Sequence, residues 1–179
     1  MKKPRLKICC ISSIDEARIA IDYGASALGL VGNMPSGPGV IGDALIYQIA
    51  KTIPPPISTF LLSSETKAQD IISHYKLGNT TTIQIVDAME KSEYEILRTE
   101  LPSVKLVQVI HVIDDHSVKE AIEISNFVDA ILLDSGNPNL LVKELGGTGR
   151  THNWDLSREI KNAISIPLFL AGGIKIDNP

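Results

Sequence analysis

Apolar and polar positions follow two rhythms along this chain. Short, mostly apolar runs such as Ile57-Ser-Thr-Phe-Leu-Leu62 and Val128-Asp-Ala-Ile-Leu-Leu-Asp134 alternate with stretches of helical spacing such as 43–52 and 88–100. The first kind suits strands buried on both faces, the second helices with one apolar side. The pattern predicts strands over 6–11, 26–31, 57–62, 80–86, 103–110, 128–134 and 166–170, with a helix in each interval. Local chemistry agrees. Ser12-Ser-Ile-Asp-Glu16 supplies the hydroxyls and acids of a helix N-terminus, Gly24 and Gly78 close helices, and Pro54-Pro-Pro56 stops one.

Apolar strands alternating with helices imply a parallel sheet covered by helices. We expect an α/β fold, a TIM (β/α)8-type barrel lacking its eighth βα unit, because the pattern stops after strand seven at Pro179. An open doubly wound sheet is disfavoured, since the turn after strand one, Cys10-Ile-Ser-Ser, has no glycine fingerprint. With 179 residues, 44% of them hydrophobic, the chain suits a single barrel domain over 1–179.

Charge removes several functions. The 17 basic and 21 acidic residues give a net charge of -4, with no basic run or aromatic ladder, so nucleic acid is not an expected partner. The basic start Met1-Lys-Lys-Pro-Arg-Leu-Lys7 leads into an apolar run too short for a signal peptide or membrane span. Cys9 and Cys10 are neighbours that cannot easily bridge each other on a strand, which suits a reduced, cytoplasmic protein. His74, His111, His116 and His152 show no ligand spacing, so no metal is expected and they read as surface or cap residues, His152 with the reservation that it lies beside the glycine turn.

The candidate chemistry lies at strand C-terminal ends, the catalytic rim of a barrel. Asp134 ends strand six after three apolar residues and reads either as a loop cap or as a proton donor. Along strand one, Lys7, Cys9 and Ile11 share a face and Ile8 and Cys10 the other, so one cysteine is expected in the barrel and one beneath the helices. Such a cysteine is either an inert core residue or a base at the rim. Gly146-Gly-Thr-Gly149 and Gly172-Gly173 follow strands six and seven, where backbone amides can cradle a phosphate. The loop 32–42 reads as either an active-site loop or a solvated connector.

Lys7-Ile-Cys9, Ser12, Asp15-Glu-Ala17, Gly24-Ala-Ser-Ala-Leu-Gly-Leu-Val31, Leu132-Leu-Asp134, Gly146-Gly-Thr-Gly149 with Trp154, and Leu170-Ala-Gly-Gly173 together resemble the phosphoribosylanthranilate isomerases of tryptophan biosynthesis. The likeness runs through the whole chain in order. It implies an Amadori rearrangement without a cofactor, with Cys9 as general base and Asp134 as general acid. It places Gly146, Gly147, Thr148, Gly149, Gly172 and Gly173 near the substrate phosphate and puts Lys7 and Gln84 in or near the pocket.

The chain also departs from that pattern. Cys10 stands where the family usually has glycine, and the loop Met34-Pro-Ser-Gly-Pro-Gly39 lacks the family's carboxylate-binding arginine. Gln84-Ile-Val-Asp87 replaces Gln-Leu-His-Gly. Losing one such arginine would cost roughly 1.5–3 kcal/mol of binding if nothing replaced it. Beside the isomerase stand two alternatives: a paralogue acting on another phosphosugar, and a non-catalytic phosphosugar-binding protein. In every case the expected partner is a small phosphosugar, and open barrel edges would favour a homo-oligomer.

Overall fold

The computed structural model describes residues 4–175 and 177–178. Seven strands, β1 (Leu6–Ile8), β2 (Ala25–Val31), β3 (Ser58–Ser63), β4 (Thr82–Ile85), β5 (Lys105–His111), β6 (Ala130–Asp134) and β7 (Leu168–Leu170), pair in chain order. Each ladder is parallel. Between them run α1 (Ile14–Asp22), α2 (Asp43–Ala50), α3 (Ala68–Gly78), α4 (Lys91–Glu100), α5 (His116–Ile124) and α6 (Trp154–Ala163). The sheet curls far enough for Phe60 of β3 to meet Phe169 of β7 edge to face, ring centres 5.8 Å apart, although three strands separate them in the order. Among the described residues β1 and β7 remain the sheet's two edges.

Alternation along the strands divides the core. Ala27, Phe60, Leu62, Val107, Val109, Ala130 and Leu132 pack together on the concave side. Their neighbours Leu61, Ile83, Ile85, Leu106, Ile131 and Leu133 are almost completely buried beneath the helices. Each such side chain contributes about 1.5–3 kcal/mol of burial. Asp134 continues the inward series of Ala130 and Leu132, and Gln84 continues that of Thr82. Parallel pairing leaves all strand C-termini at one rim, so these polar ends converge.

The expected strands and helices are present, with shifted bounds. Strand one was expected to reach residue 11, but β1 stops at Ile8 because Cys10 takes a left-handed backbone, φ 61°. Pairing resumes at once, with Ile11 N donating to Gly29 O over 3.2 Å. The residues of 9–10 therefore form an irregular step, and simple strand alternation fails there. Beyond it, Ser13 caps α1 by accepting from Glu16 N, while the Glu16 carboxylate accepts from Ser12 N and Oγ at 2.7 and 2.8 Å. These hydrogen bonds, the backbone one first, hold the Glu16 carboxyl below its usual range.

Helix α4 begins at Lys91 rather than the expected residue 88, leaving Asp87 at the end of a short turn. Tyr94 of α4, 1% exposed, donates to Gln108 Oε1 over 2.6 Å. Gln108 Nε2 donates in turn to Asp87 O at 3.0 Å. Burial, with Glu120 adding, pushes the Tyr94 phenol up, so it stays a donor. Replacing Tyr94 with Phe should leave Gln108 Oε1 buried and unpaired, lowering stability by about 1–3 kcal/mol. Urea denaturation measures the loss, and an unchanged midpoint would contradict this account.

Candidate active site

A cavity of about 250 Å³ opens at the rim where the strand C-termini meet. Cys9, Cys10, Gln84, Asp134, Gly146, Gly147, Thr148, Gly149, Gly172 and Gly173 all line it. Lys7 is not in that lining; its Nζ donates to Cys9 Sγ at 2.7 Å and lies 5.1 Å from the Phe60 ring centre. It therefore reaches the site through Cys9.

Cys9 comes directly after β1. The approach depends on Gly29 of β2, because a Cβ there would stand 2.9 Å from Cys9 Sγ and 3.1 Å from its Cα. The expectation that one cysteine would pack beneath the helices is corrected: both face the cavity, since the left-handed Cys10 turns the chain out of strand geometry. The two thiols differ in environment. Cys10 donates weakly to Pro38 O at 3.5 Å, and burial pushes its thiol up, the neighbouring Cys9 adding and Lys7 opposing. Cys10 is thus held in the thiol form, which a proton-abstracting base cannot use, while Cys9 is the more exposed of the two.

Asp134 ends β6, partly buried, with Oδ1 accepting from Ser135 N at 2.7 Å. Two glycines leave its carboxylate room. A Cβ on Gly146 would lie 3.1 Å from Oδ2, and one on Gly172 would lie 3.1 Å from Oδ1 and 2.9 Å from Ser135 Oγ. The first glycine turn is pinned from below by the 2.7 Å hydrogen bond between Ser135 Oγ and Thr148 Oγ1. The second turn lies against the residues that follow the first, as a Cβ on Gly173 would come within 2.6 Å of Thr151 N. Both glycine segments therefore border the acid on one side of the cavity.

The loop 32–42 also borders the cavity, with Pro38 against Gly147. Val31, Met34, Ser36, Gly37 and Pro38 line the cavity, so the active-site reading of this loop is the one its position supports. Ser36 Oγ donates to Lys143 O, which clasps this loop to the segment after β6. That segment is anchored by an antiparallel bridge between Asn137 and Glu144 and by Leu145, 4% exposed in the concave core. The Lys143 ammonium pairs with Asp87 and Arg150 pairs with Glu144.

Sequence reasoning missed Ser135, Lys143 and Asp87. Ser135 could have been suspected from its place directly after the acid; nothing local marks the other two. The histidine expectation also needs correction. His111 is 8% exposed with Nε2 3.1 Å from Val86 O, because it ends β5 on the inward face. His74 is largely buried against Gly32 and pairs with Asp43 at 2.8 Å. His152 lies near Asp134, but burial holds its imidazole below the usual range, outweighing the carboxylate, and Nε2 meets Ser157 Oγ at 2.6 Å. No group of three or more potential metal ligands occurs among the described residues.

Several known proteins are similar to this chain. The family model of N-(5'-phosphoribosyl)anthranilate (PRA) isomerase matches residues 6–179. N-(5'-phosphoribosyl)anthranilate isomerase 2 of Methanosarcina mazei is 30% identical over 175 residues, covering 97% of this chain and 76% of that protein. Among solved structures, the phosphoribosyl anthranilate isomerase of Thermotoga maritima superposes with a TM-score of 0.78 at 23% identity, covering 98% of this chain and 80% of the other. A phosphoribosyl anthranilate isomerase in complex with reduced 1-(o-carboxyphenylamino)-1-deoxyribulose 5-phosphate gives 0.75 at 20% identity, covering 98% and 79%.

Gly147 illustrates how tightly the loop 32–42 and the first glycine turn are joined. Its φ is +70°, and a Cβ would stand 2.6 Å from Pro38 Cδ. Gly147→Ala should therefore destabilise the protein by about 1–2 kcal/mol from backbone strain alone, with the proline clash adding to it. A chemical denaturation curve unchanged by the substitution would refute the close packing.

Proposed function

The chain belongs to the N-(5'-phosphoribosyl)anthranilate isomerase family, and from that premise we propose that Cys9 and Asp134 are the base and acid of its reaction. The protein is an isomerase that carries out the Amadori rearrangement of N-(5'-phosphoribosyl)anthranilate in tryptophan biosynthesis. Asp134 donates its proton to the ribose ring oxygen as the nitrogen lone pair expels it, giving an open-chain Schiff base. The Cys9 thiolate then removes the C2' proton, and the electron pair flows toward nitrogen to form the enolamine. Return of a proton to C1' and loss of one from the 2'-hydroxyl complete the ketose, so the product is an isomer of the substrate.

One observation carries this assignment: Cys9, Asp134 and both glycine turns line a single cavity. The glycine amides after β6 and β7 are read as the phosphate cradle, which orients the sugar with its C1'–C2' bond between the two groups. No described helix is long and apolar enough to cross a membrane, and both cysteines are free, which supports placement in the cytoplasm. Residues 1–179 are read as one barrel domain. The exposed Leu6 and Ile8 at one sheet edge and Leu170 at the other support a homo-oligomer that covers them.

Turnover of phosphoribosylanthranilate, followed by loss of its fluorescence, tests the assignment. The unmodified chain should be active, and Cys9→Ala and Asp134→Asn should each lose roughly 100-fold or more in kcat. Retention of activity in either variant would remove that residue from its role. Gly29→Ala, which forces Cys9 aside, should cost roughly 10- to 100-fold in kcat with little change in KM. If KM rose instead, Gly29 would matter for binding rather than for placing the sulfur.

A further inference from the structure

The family's substrate has two acidic ends, a phosphate on the ribose and a carboxylate on the aromatic ring, and the glycine turns answer one of them. The rest of the lining, built by Met34, Ser36 and Pro38 after β2 and by Gln84 and Val86 around β4, has no cation in it. A carboxylate brought there without a charged donor would be costly to desolvate. We propose that Lys143 recognises the substrate carboxylate and so sets specificity for an acidic aromatic ring. This assignment rests on the isomerase reading above.

The placement of Lys143 carries the argument. It stands just outside the lining: its backbone carbonyl is clasped by Ser36, which lines the cavity, while its ammonium pairs with Asp87, the residue directly after the lining residue Val86. Two residues later Leu145 is locked into the concave core, so the backbone here is fixed from both sides. Asp87 is itself immobile: its side chain is 11% exposed, Oδ1 accepts from Ala88 N at 2.9 Å, and its carbonyl is held by Gln108. A lysine normally gives up considerable rotamer freedom to bind a ligand, and Asp87 has already restricted it. Asp87 occupies one ammonium proton and leaves two for an incoming carboxylate, and the lysine side chain is still 45% exposed.

A second observation comes from the same part of the lining. Gln84 is 4% exposed and lines the cavity, yet its Oε1 has no hydrogen-bond partner. A buried acceptor without a donor points to a ligand that brings one. The arylamine N–H of the substrate is such a donor, and it stands ortho to the carboxylate assigned to Lys143. Two other cations lie nearby, neither of them beside Ser36 or Val86. Lys7 donates to Cys9 at 2.7 Å, and Arg150 pairs with Glu144 while its carbonyl lies against Gly172, on the cradle side.

Calorimetric titration with two ligands tests the assignment: reduced 1-(o-carboxyphenylamino)-1-deoxyribulose 5-phosphate and its counterpart lacking the carboxylate. The unmodified protein should prefer the carboxylated ligand by roughly 10- to 100-fold. Lys143→Gln should abolish that preference while leaving affinity for the second ligand unchanged, and Lys143→Arg should retain most of it. Because Ser36 holds a main-chain atom, both variants keep the loop clasp. A preference that survives Lys143→Gln, or equal losses for both ligands, overturns the assignment. Equal binding of both ligands by the unmodified protein does so too, whereas failure to bind either overturns the isomerase reading itself.

Discussion

Everything at this site depends on the inward face of a parallel sheet whose strands all end at one rim. Parallel pairing aligns the C-terminal ends, and the two-residue alternation decides which side chains point inward there. Along β6 the series Ala130, Leu132, Asp134 passes from packed core to a carboxylate at the cavity without a change of face. Along β4 the same face carries Thr82 and Gln84, and beyond the strand Val86. Charge is tolerated at these positions because they sit where the core gives way to a water-accessible cavity.

The cavity is shaped as much by missing side chains as by those present. Gly29 lets Cys9 approach β2, Gly146 and Gly172 leave space around the Asp134 carboxylate, and Gly147 lets the turn settle on Pro38. The glycines serve different physical ends, close approach in one case and left-handed backbone in another. Cys10 runs the other way, a side chain with φ 61° at a place suited to glycine. Its strained backbone ends β1 early and turns a second thiol toward the same cavity, where burial keeps it protonated.

Loops from distant parts of the chain complete the enclosure. Ser36 after β2 and Lys143 after β6 are 107 residues apart, yet they join through one hydrogen bond. Asp87 after β4 takes the ammonium of the same lysine. Loops β2–α2, β4–α4 and β6–α6 therefore act as one rim, and the ordering of each contributes to the others.

The chain's local pattern determined the number, order and direction of the strands, because apolar runs, helical spacing and turn residues are properties of neighbouring positions. It also marked Asp134, Cys9 and the two glycine turns as candidates, since the first two end apolar runs and the turns follow strands six and seven, where a barrel displays chemistry. Strand one was misjudged beyond Ile8 because a left-handed residue has no apolar signature. His111 and His74 were taken for surface groups because burial depends on which strand face or helix side meets a neighbour. The partnership of Lys143 with Asp87 and Ser36 was legible nowhere in the sequence: only folding brings those residues together, and an interaction between distant loops leaves no local periodicity to read.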